Sequence, residues 1–595
     1  MRKIHLLFIV QFFFFSLTAQ PPTDPRLKGL DTLVAKVLKD WHAPGVSIAV
    51  VEKGKVIYAG GFGYRDMDKK LPVTENTQFA IGSCTKAFTA AILGMLDNDG
   101  KVDLDKPVRN YLPELKFQNE YTNNHATLRD MMCHRTGLPR HDMSWYASWA
   151  SRSELLERIQ YMEPTAALRE RWQYNNFMFL AQGSVIEKLT GKSWEENMKE
   201  KILKPLGMDN TNLSTKDMEK SADHSLAYAS TDSSIKAIAY RNIDAMGPAG
   251  SINSSAKDMT KWLITWINSG KYNGKEIIPS AYRSEAMTIQ MATGGGLPGT
   301  ENSDVHINGY GLGWGISSYR GHYRVEHGGG IDGFISSTGF FPSDSIGIFV
   351  VSNQGQPVAV IRNFIADRML KLPYRNWNKS QLDAARKAKE AAKSVVKNDS
   401  LGHVFNTKPS HDLIDYAGTY INPGYGSIEI KSTGNELSSR FNSIDIKFEH
   451  YHYDQFKALP QDPSLEDASF MASFHTDEKG DISKLTIPFE SGTKDIEFIR
   501  ETKTMDIKKD ELQKYTGDYE LAPGMLAKFY IKGEKTLYAF IDGQPEYELV
   551  PVKKDEFNLK VMSGYSVKFE TNEKGEVTAV NFIQPEGIFK APKKK

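Results

Sequence analysis

One segment determines how this chain is interpreted, and it reads Ile81-Gly82-Ser83-Cys84-Thr85-Lys86-Ala87-Phe88. Ser83 and Lys86 lie three residues apart at the start of a predicted helix, which places a hydroxyl and an amine on the same helical face. A serine hydroxyl becomes an effective nucleophile at neutral pH only beside a base. A lysine in a desolvated pocket loses its proton and becomes such a base. The segment therefore predicts acyl transfer through a covalent serine ester, at a helix N-terminus that favours developing negative charge.

The surroundings of Ser83 distinguish it from other Ser-x-x-Lys copies, which lie in polar stretches. Those copies begin at Ser233, Ser254, Ser394 and Ser491. Residues 87–96, by contrast, are apolar on nearly all sides, which is typical of a buried helix, and Asn98-Asp99-Gly100 is a typical helix end. On this segment alone, a serine that merely caps a helix remains an alternative interpretation.

Two further clusters support the catalytic interpretation. Tyr174-x-Asn176 stands directly before an apolar run, and His327 precedes three consecutive glycines that end at Gly330. Glycines after a strand-like segment allow another backbone or a ligand to approach closely. Taken as structure only, Tyr174 is a half-buried aromatic residue and His327 ends a strand. The order of the three clusters along the chain is what favours a shared site.

In this order the clusters resemble those of the penicillin-recognising serine hydrolases. The sequence is most similar to the branch that contains class C β-lactamases, D-aminopeptidases, carboxypeptidases and related esterases, also known as the S12 peptidase or CubicO-type group. Supporting segments are residues 131–139, 204–208, 247–252 and 310–314. The resemblance extends from about residue 24 to about residue 370. It implies an α+β fold, in which an antiparallel sheet flanked by helices packs beside a helical lobe.

The resemblance also implies roles for the site residues. Ser83 would attack the substrate carbonyl, and Lys86 and Tyr174 would handle its proton, although which of the two is the general base stays open. Their proximity is expected to lower the pKa of both groups. Asn176 would bind the substrate amide and position Lys86. The N–H groups of Ser83 and Gly330 would form the oxyanion hole, with His327 and Gly329 also lining the substrate site.

Position 327 departs from many relatives, which carry a lysine that grips a substrate carboxylate. A histidine is mostly neutral near pH 7, so His327 favours an ester or peptide substrate over a β-lactam. Residues 163–165 also replace a Pro-Gly pair that is common in relatives. We therefore predict a serine hydrolase that acts on small esters, amides or D-amino-acid peptides. A true class C-like β-lactamase and a non-catalytic sensor that binds β-lactams or peptides are the alternatives.

The N-terminus predicts export. Arg2 and Lys3 precede a short apolar run, and Ala19 stands before polar residues, which is the pattern of a signal peptide over residues 1–19. The apolar run is short for a membrane span, although an uncleaved anchor remains an alternative. We expect a periplasmic or extracellular protein with no integral membrane segment after signal removal.

Composition excludes some classes of partner and leaves others open. Across 595 residues, 74 Lys and Arg balance 73 Asp and Glu, so nothing favours nucleic acid or an anionic membrane surface. Two cysteines provide no disulfide framework, and whether Cys84 and Cys133 pair is open. No cofactor motif stands in a convincing context. His450 and His452 alternate along a predicted strand, which indicates ordinary strand geometry more than a metal site.

The length of the chain predicts several domains. After the hydrolase-like region, 24–375, we predict a helical linker over 376–408 and two β-barrel-like repeats over 409–502 and 506–591. The repeats share Tyr416-Ala417-Gly418-Thr419-Tyr420 and Tyr515-Thr516-Gly517-Asp518-Tyr519. Each resembles the small lipocalin-like barrels that follow some hydrolases of this group. These barrels could mediate assembly into a homo-oligomer or cover the substrate cleft.

Overall fold

The computed structural model describes residues 24–594 except positions 231–233, 295–303, 305, 356, 400–401, 466–467, 502–503, 534, 561–564 and 585–586. The predicted signal peptide therefore lies outside the described residues. None of the helices in the described ranges combines the length and apolar character needed to cross a bilayer.

The N-terminal unit contains both strands and helices. Its strands are β1 (Gly45–Glu52), β2 (Lys55–Asp66), β3 (Leu71–Pro72), β4 (Phe79–Ala80), β5 (Ala227–Ser230), β6 (Ile235–Ile238), β7 (Asn253–Ser254), β8 (Lys271–Tyr272), β9 (Lys275–Glu276), β10 (Met291–Ala292), β11 (Asn308–Tyr310), β12 (Gly315–Tyr319), β13 (His322–Ile331), β14 (Phe334–Phe341) and β15 (Ile346–Ser352). Its helices are α1 (Leu30–Asp40), α2 (Thr85–Asn98), α3 (Glu120–His125), α4 (Leu128–Met132), α5 (Arg152–Arg158), α6 (Phe177–Thr190), α7 (Trp194–Met198), α8 (Lys204–Leu206), α9 (Thr215–Lys220), α10 (Gly247–Gly250), α11 (Ala256–Ile267), α12 (Ser280–Ala286) and α13 (Pro357–Met369).

Nine of these strands form one antiparallel sheet, in the order β10-β11-β12-β13-β14-β15-β1-β2-β3. Side chains alternate between the faces of a strand, and β1 shows why both faces are apolar. Val46, Ile48 and Val50 pack with α1 and α13, whereas Ala49 and Val51 point to the opposite core. That second core contains α11 and continues into the helical lobe, where α2 and α6 are buried along most of their length. The sheet, its covering helices and the helical lobe confirm the predicted α+β class.

The C-terminal part consists of a long helix followed by two β-structured units. After α14 (Trp377–Asp399), barrel 1 is formed by β16 (Gly418–Asn422), β17 (Gly426–Thr433), β18 (Glu436–Phe441), β19 (Ile444–His452), β20 (Gln455–Pro460), β21 (Phe470–Thr476), β22 (Ile482–Ile487) and β23 (Ile496–Arg500). Barrel 2 is formed by α15 (Lys509–Leu512), β24 (Gly517–Ala522), β25 (Met525–Lys532), β26 (Thr536–Ile541), β27 (Tyr547–Lys553), β28 (Glu556–Leu559), β29 (Ser566–Thr571), β30 (Val577–Gln584) and β31 (Gly587–Pro592). Barrel 1 is closed, and a bridge between Tyr519 and Lys593 brings the two ends of the second sheet together. This confirms the predicted pair of β-barrel-like units, and each of them has eight strands.

The repeated tyrosines make the same contacts in both barrels. The Tyr420 hydroxyl donates to the Tyr416 carbonyl at 2.9 Å, and the Tyr519 hydroxyl donates to the Tyr515 carbonyl at 2.9 Å. The hydroxyls of Tyr416 and Tyr515 donate in turn to Asp454 and Asp555. In each barrel, these hydrogen bonds thus connect the start of the first strand to the turn that carries the aspartate.

Strand β13 lies in close backbone contact with the turn that carries Ser83. A β-carbon at Gly329 would come within 2.0 Å of the Ile81 carbonyl oxygen, and one at Gly82 would lie 2.8 Å from the Gly330 nitrogen. Gly82 also has φ of +50°, a conformation that favours glycine. Two backbone segments can approach this closely only because side chains are missing.

We expect Gly329→Ala to lower the free energy of unfolding by about 1–3 kcal/mol, because the added methyl group overpacks a contact between two backbones. Gly328→Ala on the same strand is the matched control, since its β-carbon would lie 3.7 Å from the nearest atom, the Ser336 carbonyl oxygen. Urea unfolding of both variants measures the difference. Equal stabilities for the two variants would contradict the close approach of β13 to the serine turn.

Candidate active site

Ser83 lies in a single 3-10 turn, Gly82–Cys84, that runs directly into α2. The helix is buried because its residues are apolar on nearly every side, and it packs against α6, α10 and α12, while the turn itself packs against β13. This junction between sheet and helical lobe fixes the position of the serine. Lys86 follows one turn later on the same face, as the spacing predicts.

Lys86 is fully buried and its amine has three polar neighbours. Nζ lies 2.7 Å from Asn176 Oδ1, 2.9 Å from the Ala249 carbonyl oxygen and 3.0 Å from Ser83 Oγ. None of these three neighbours is a carboxylate. Burial lowers the pKa of Lys86 well below its usual range, and the positive charge of Arg140 lowers it further.

When the Lys86 amine is neutral, its three contacts determine where its two N–H groups and its lone pair point. Carbonyl oxygens only accept hydrogen bonds, so both N–H groups of the amine donate to Asn176 and Ala249. The lone pair that remains then faces Ser83, whose hydroxyl donates to it. This is the arrangement that a general base requires before it removes a proton.

Tyr174 stands just before α6, and its ring lies beside both Lys86 and a buried histidine. Lys86 Nζ is 4.8 Å from the ring centroid, and the His134 ring is 4.3 Å away. Burial raises the pKa of Tyr174, and a hydrogen bond with the Ser83 side chain opposes that rise only in part.

The prediction that coupling lowers both pKa values is therefore wrong for Tyr174. A phenolate would gain stability from a nearby lysine cation, but burial lowers the pKa of Lys86 and so disfavours that cation. Without that cation, desolvation is the dominant influence on the phenol. Burial therefore favours the neutral, protonated form of the Tyr174 phenol.

Asn176 bridges Lys86 to an aspartate that the sequence analysis did not single out. Its Oδ1 accepts from Lys86, while its Nδ2 donates to Asp142 Oδ1 at 2.8 Å. Arg140 Nε donates to the other oxygen of Asp142 at 2.6 Å. The guanidinium of Arg140 also lies 4.9 Å from the centroid of the Tyr174 ring, so an ion pair borders the site.

His327 is neutral and both of its ring nitrogens are occupied. Nδ1 lies 2.6 Å from the Gly328 carbonyl, which only accepts, so Nδ1 carries the proton. Nε2 then accepts from the Tyr310 hydroxyl at 2.7 Å. Burial is the largest cause that lowers the pKa of His327, to about 4. The side chain cannot supply the permanent cation that a lysine would.

The two cysteines and the alternating histidines have ordinary surroundings. Cys84 and Cys133 are both buried and free, and Cys84 Sγ contacts the His327 carbonyl at 3.1 Å. His450 and His452 lie at a register shift of β19, and His450 Nε2 donates to the Tyr453 carbonyl. Within the residues that the structure describes, no group of three or more His, Cys, Asp or Glu side chains is arranged to hold a metal ion.

The structure thus brings Ser83, Lys86, Tyr174, Asn176 and His327 into one cluster, with the glycines of β13 against the serine turn. Sequence reasoning missed three functional candidates: Arg140, Asp142 and Tyr310. Arg140 and Asp142 directly follow the supporting segment 131–139, and Tyr310 opens another supporting segment. Position beside those segments was the available signal, but it does not reveal which side chain contacts which.

Comparisons with known proteins bear on the family and the fold. A family profile described as Beta-lactamase matches residues 30–368, and one described as Domain of unknown function (DUF3471) matches residues 403–500. Unguisins hydrolase ungD' of Aspergillus campestris is 30% identical over 432 residues, covering 68% of this chain and 78% of that protein. Protein flp of Staphylococcus aureus is 26% identical over 337 residues, covering 56% of this chain and 64% of that protein. The octameric penicillin-binding protein homologue from Pyrococcus abyssi shares the fold, with a TM-score of 0.53 and 23% identity over 79% of this chain and 99% of that structure.

Fold, site and relatives together define a serine hydrolase. The chain belongs to the beta-lactamase family, whose profile covers more than half of its length.

Replacing Lys86 by methionine should change how stability depends on pH. Between the lowered native pKa of Lys86 and about pH 10.5, the unfolded lysine binds a proton that the native lysine does not, so the stability of the wild type rises with pH. Relative to Lys86→Met, the wild-type free energy of unfolding should rise by up to about 1.4 kcal/mol per pH unit in this window. Urea unfolding from pH 7 to 10 measures the difference, and parallel curves would show that the buried amine is charged.

Proposed function

We propose that this protein cleaves small esters, amides or D-amino-acid peptides through an acyl-enzyme formed on Ser83. The observation that carries the proposal is the set of contacts at Lys86, which leaves a lone pair of a neutral amine facing the Ser83 hydroxyl. The named hydrolase among the relatives supports turnover over simple binding.

Acylation begins when Ser83 Oγ forms a bond to the substrate carbonyl carbon and its proton passes to Lys86. The tetrahedral oxyanion would be stabilised by the backbone N–H groups of Ser83 and Gly330, which lie on the two segments that approach at Gly82. The intermediate collapses as the bond to the leaving group breaks. The neutral phenol of Tyr174 donates a proton to that leaving group and is reprotonated from Lys86.

Deacylation reverses the roles with water as the nucleophile. A water molecule attacks the ester carbonyl while Lys86, neutral again, accepts its proton directly or through Tyr174. The bond between Ser83 Oγ and the acyl carbon breaks, the serine recovers its proton, and the carboxylic acid departs. The site therefore returns to its starting state after one molecule of water is consumed.

The neutrality of His327 argues against a dedicated β-lactamase. Its pKa of about 4 leaves no charge at pH 7, and the Tyr310 hydroxyl already occupies Nε2. A substrate carboxylate thus has no cation at this position. Esters and peptides, which do not depend on that cation, fit the site better than β-lactams do.

We also propose that the protein is exported through a cleaved signal over residues 1–19. The barrels would mediate its assembly into a homo-oligomer. An enzyme that acts on small peptides and esters of the cell envelope or medium would work outside the cytoplasm. Light scattering of the purified protein tests for a homo-oligomer.

We expect Ser83→Ala to lower the turnover of its best substrate by at least about a thousandfold, as removal of a covalent nucleophile does in other hydrolases. The assay is a panel of p-nitrophenyl esters, D- and L-amino-acid p-nitroanilides and nitrocefin. Ester or anilide turnover should exceed nitrocefin turnover, whereas a faster reaction with nitrocefin would indicate a β-lactamase.

A fluorophosphonate probe separates an enzyme from a sensor independently of the substrate panel. The wild type should be labelled at Ser83, and Ser83→Ala should not be. Absence of labelling in the wild type, under conditions that label a control hydrolase, would favour the non-catalytic sensor.

We expect the full-length chain, expressed in a Gram-negative host, to be found in the periplasm or the medium with its new N-terminus at Gln20. N-terminal sequencing of the fractionated protein measures this. Recovery of an intact Met1 in the membrane fraction would instead indicate an uncleaved anchor.

A further inference from the structure

Residues 140–147 lie between the candidate active site and barrel 1, and we call them the bridging segment. On the side of the active site, Asp142 accepts from Asn176 Nδ2 at 2.8 Å. On the other side, the segment contacts barrel 1 along most of its length. The bridging segment is thus the place where the C-terminal part of the chain reaches the catalytic cluster.

The barrel contacts are specific and mostly buried. Tyr425 of barrel 1 donates its hydroxyl proton to His141 Nδ1 at 2.7 Å, and the backbone N–H of His141 donates to the Glu490 carboxylate. Ser144 Oγ donates to the Gly424 carbonyl at 2.6 Å. Ala147 is packed within the apolar core of barrel 1 itself. Hydrogen bonds and apolar packing therefore act on the same eight residues.

The backbone of the bridging segment needs these contacts. His141 has φ of +49° and Ala147 has φ of +57°, a left-handed conformation that disfavours residues other than glycine. The His141 ring is held from both ends, because its Nε2 donates to the Glu163 carbonyl at 3.0 Å while Nδ1 accepts from Tyr425. Barrel 1 thus helps to hold a strained turn directly before Asp142.

The chemistry of Asp142 decides which way the amide of Asn176 points. A carboxylate only accepts hydrogen bonds, so the amide nitrogen must face Asp142 and the amide oxygen must face Lys86. Trp145 Nε1 donates to Asp142 Oδ1 at 2.7 Å, and Arg140 Nε donates to Oδ2 at 2.6 Å, which holds the carboxylate in place. An inverted amide would turn N–H groups toward the hydrogens of Lys86 and disrupt its lone-pair arrangement.

We propose that Asp142 is a positioning residue that sets the orientation of the Asn176 amide, and that barrel 1 is a working component of the active site because it holds the bridging segment. The inference rests on the proposed acyl-serine function. It assigns barrel 1 a role in catalysis within a single chain.

A double-mutant cycle tests the role of Asp142. The variants are Asp142→Ala, Asn176→Ala and the double variant, with Asp142→Asn as the conservative replacement. The readouts are the second-order rate constant for labelling of Ser83 by a fluorophosphonate and kcat on the best p-nitrophenyl ester. Circular dichroism and the melting temperature confirm that each variant is folded.

We expect Asp142→Ala to lower both readouts by about 10- to 100-fold, because Asn176 loses a hydrogen bond to a charged group. Asp142→Asn should recover only part of the rate, since its amide oxygen can still accept from Asn176 but its amide nitrogen cannot accept from Arg140. The double variant should be no slower than Asn176→Ala alone, because Asp142 acts only through that residue. Should Asp142→Ala not fold, Asp142→Thr takes its place in the cycle with the same expectation.

Tyr425→Phe tests the contribution of barrel 1, since it removes one hydroxyl and keeps the packing. We expect about a 3- to 10-fold fall in kcat with KM nearly unchanged, and no further fall when it is combined with Asp142→Ala. Tyr538→Phe is the matched control in barrel 2, where the hydroxyl lies 3.3 Å from Glu548, and should leave kcat unchanged.

The outcomes separate this inference from the proposed function. A folded Asp142→Ala with the wild-type labelling rate, or effects of Asp142→Ala and Asn176→Ala that multiply in the double variant, would overturn the positioning role. An unchanged kcat in Tyr425→Phe would overturn the role of barrel 1. Labelling that persists in Ser83→Ala would instead overturn the acyl-serine function itself.

Discussion

The burial of one amine is the constraint on which the catalytic cluster depends. Lys86 lies on a helix that is apolar on nearly every side, so its side chain has no route to solvent, and the protein compensates with neutral acceptors. Asn176 and Ala249 satisfy the N–H groups without supplying the negative charge that would stabilise a cation. Burial also raises the pKa of Tyr174 and lowers the pKa of His327, which favours the neutral form of both groups. Desolvation, more than pairwise attraction, sets the protonation of the whole site.

The main features of the fold were readable from the sequence because they depend on local patterns. The apolar run after Lys86 predicted a buried helix, and the helix is α2. The tyrosine repeats predicted two similar barrels, and the structure gives both repeats the same tyrosine-to-carbonyl hydrogen bond. Patterns of this kind persist in sequence because each element must satisfy its own backbone and its own apolar face.

The pKa shifts in the site and the contacts of Asp142 and Tyr310 could not be predicted from local sequence patterns. The pKa values of Tyr174 and Lys86 are shifted mainly by burial, and burial depends on packing by residues from several elements. Asp142 acquires its significance from Asn176 on one side and from barrel 1 on the other, and no periodicity connects these parts of the chain. Tyr310 was visible in a recognisable segment, yet its hydrogen bond to His327 follows only from the pairing of strands β11 to β13.

The contact between His141 and Tyr425 joins positions 284 residues apart, and this separation affects how the protein matures. Contacts between distant residues form slowly, and N-terminal regions fold first during synthesis. Until the chain around residue 425 has folded, Ala147, which packs in the core of barrel 1, is therefore left uncovered. Folding of the N-terminal unit and completion of its surface are consequently separate events, and the second requires barrel 1.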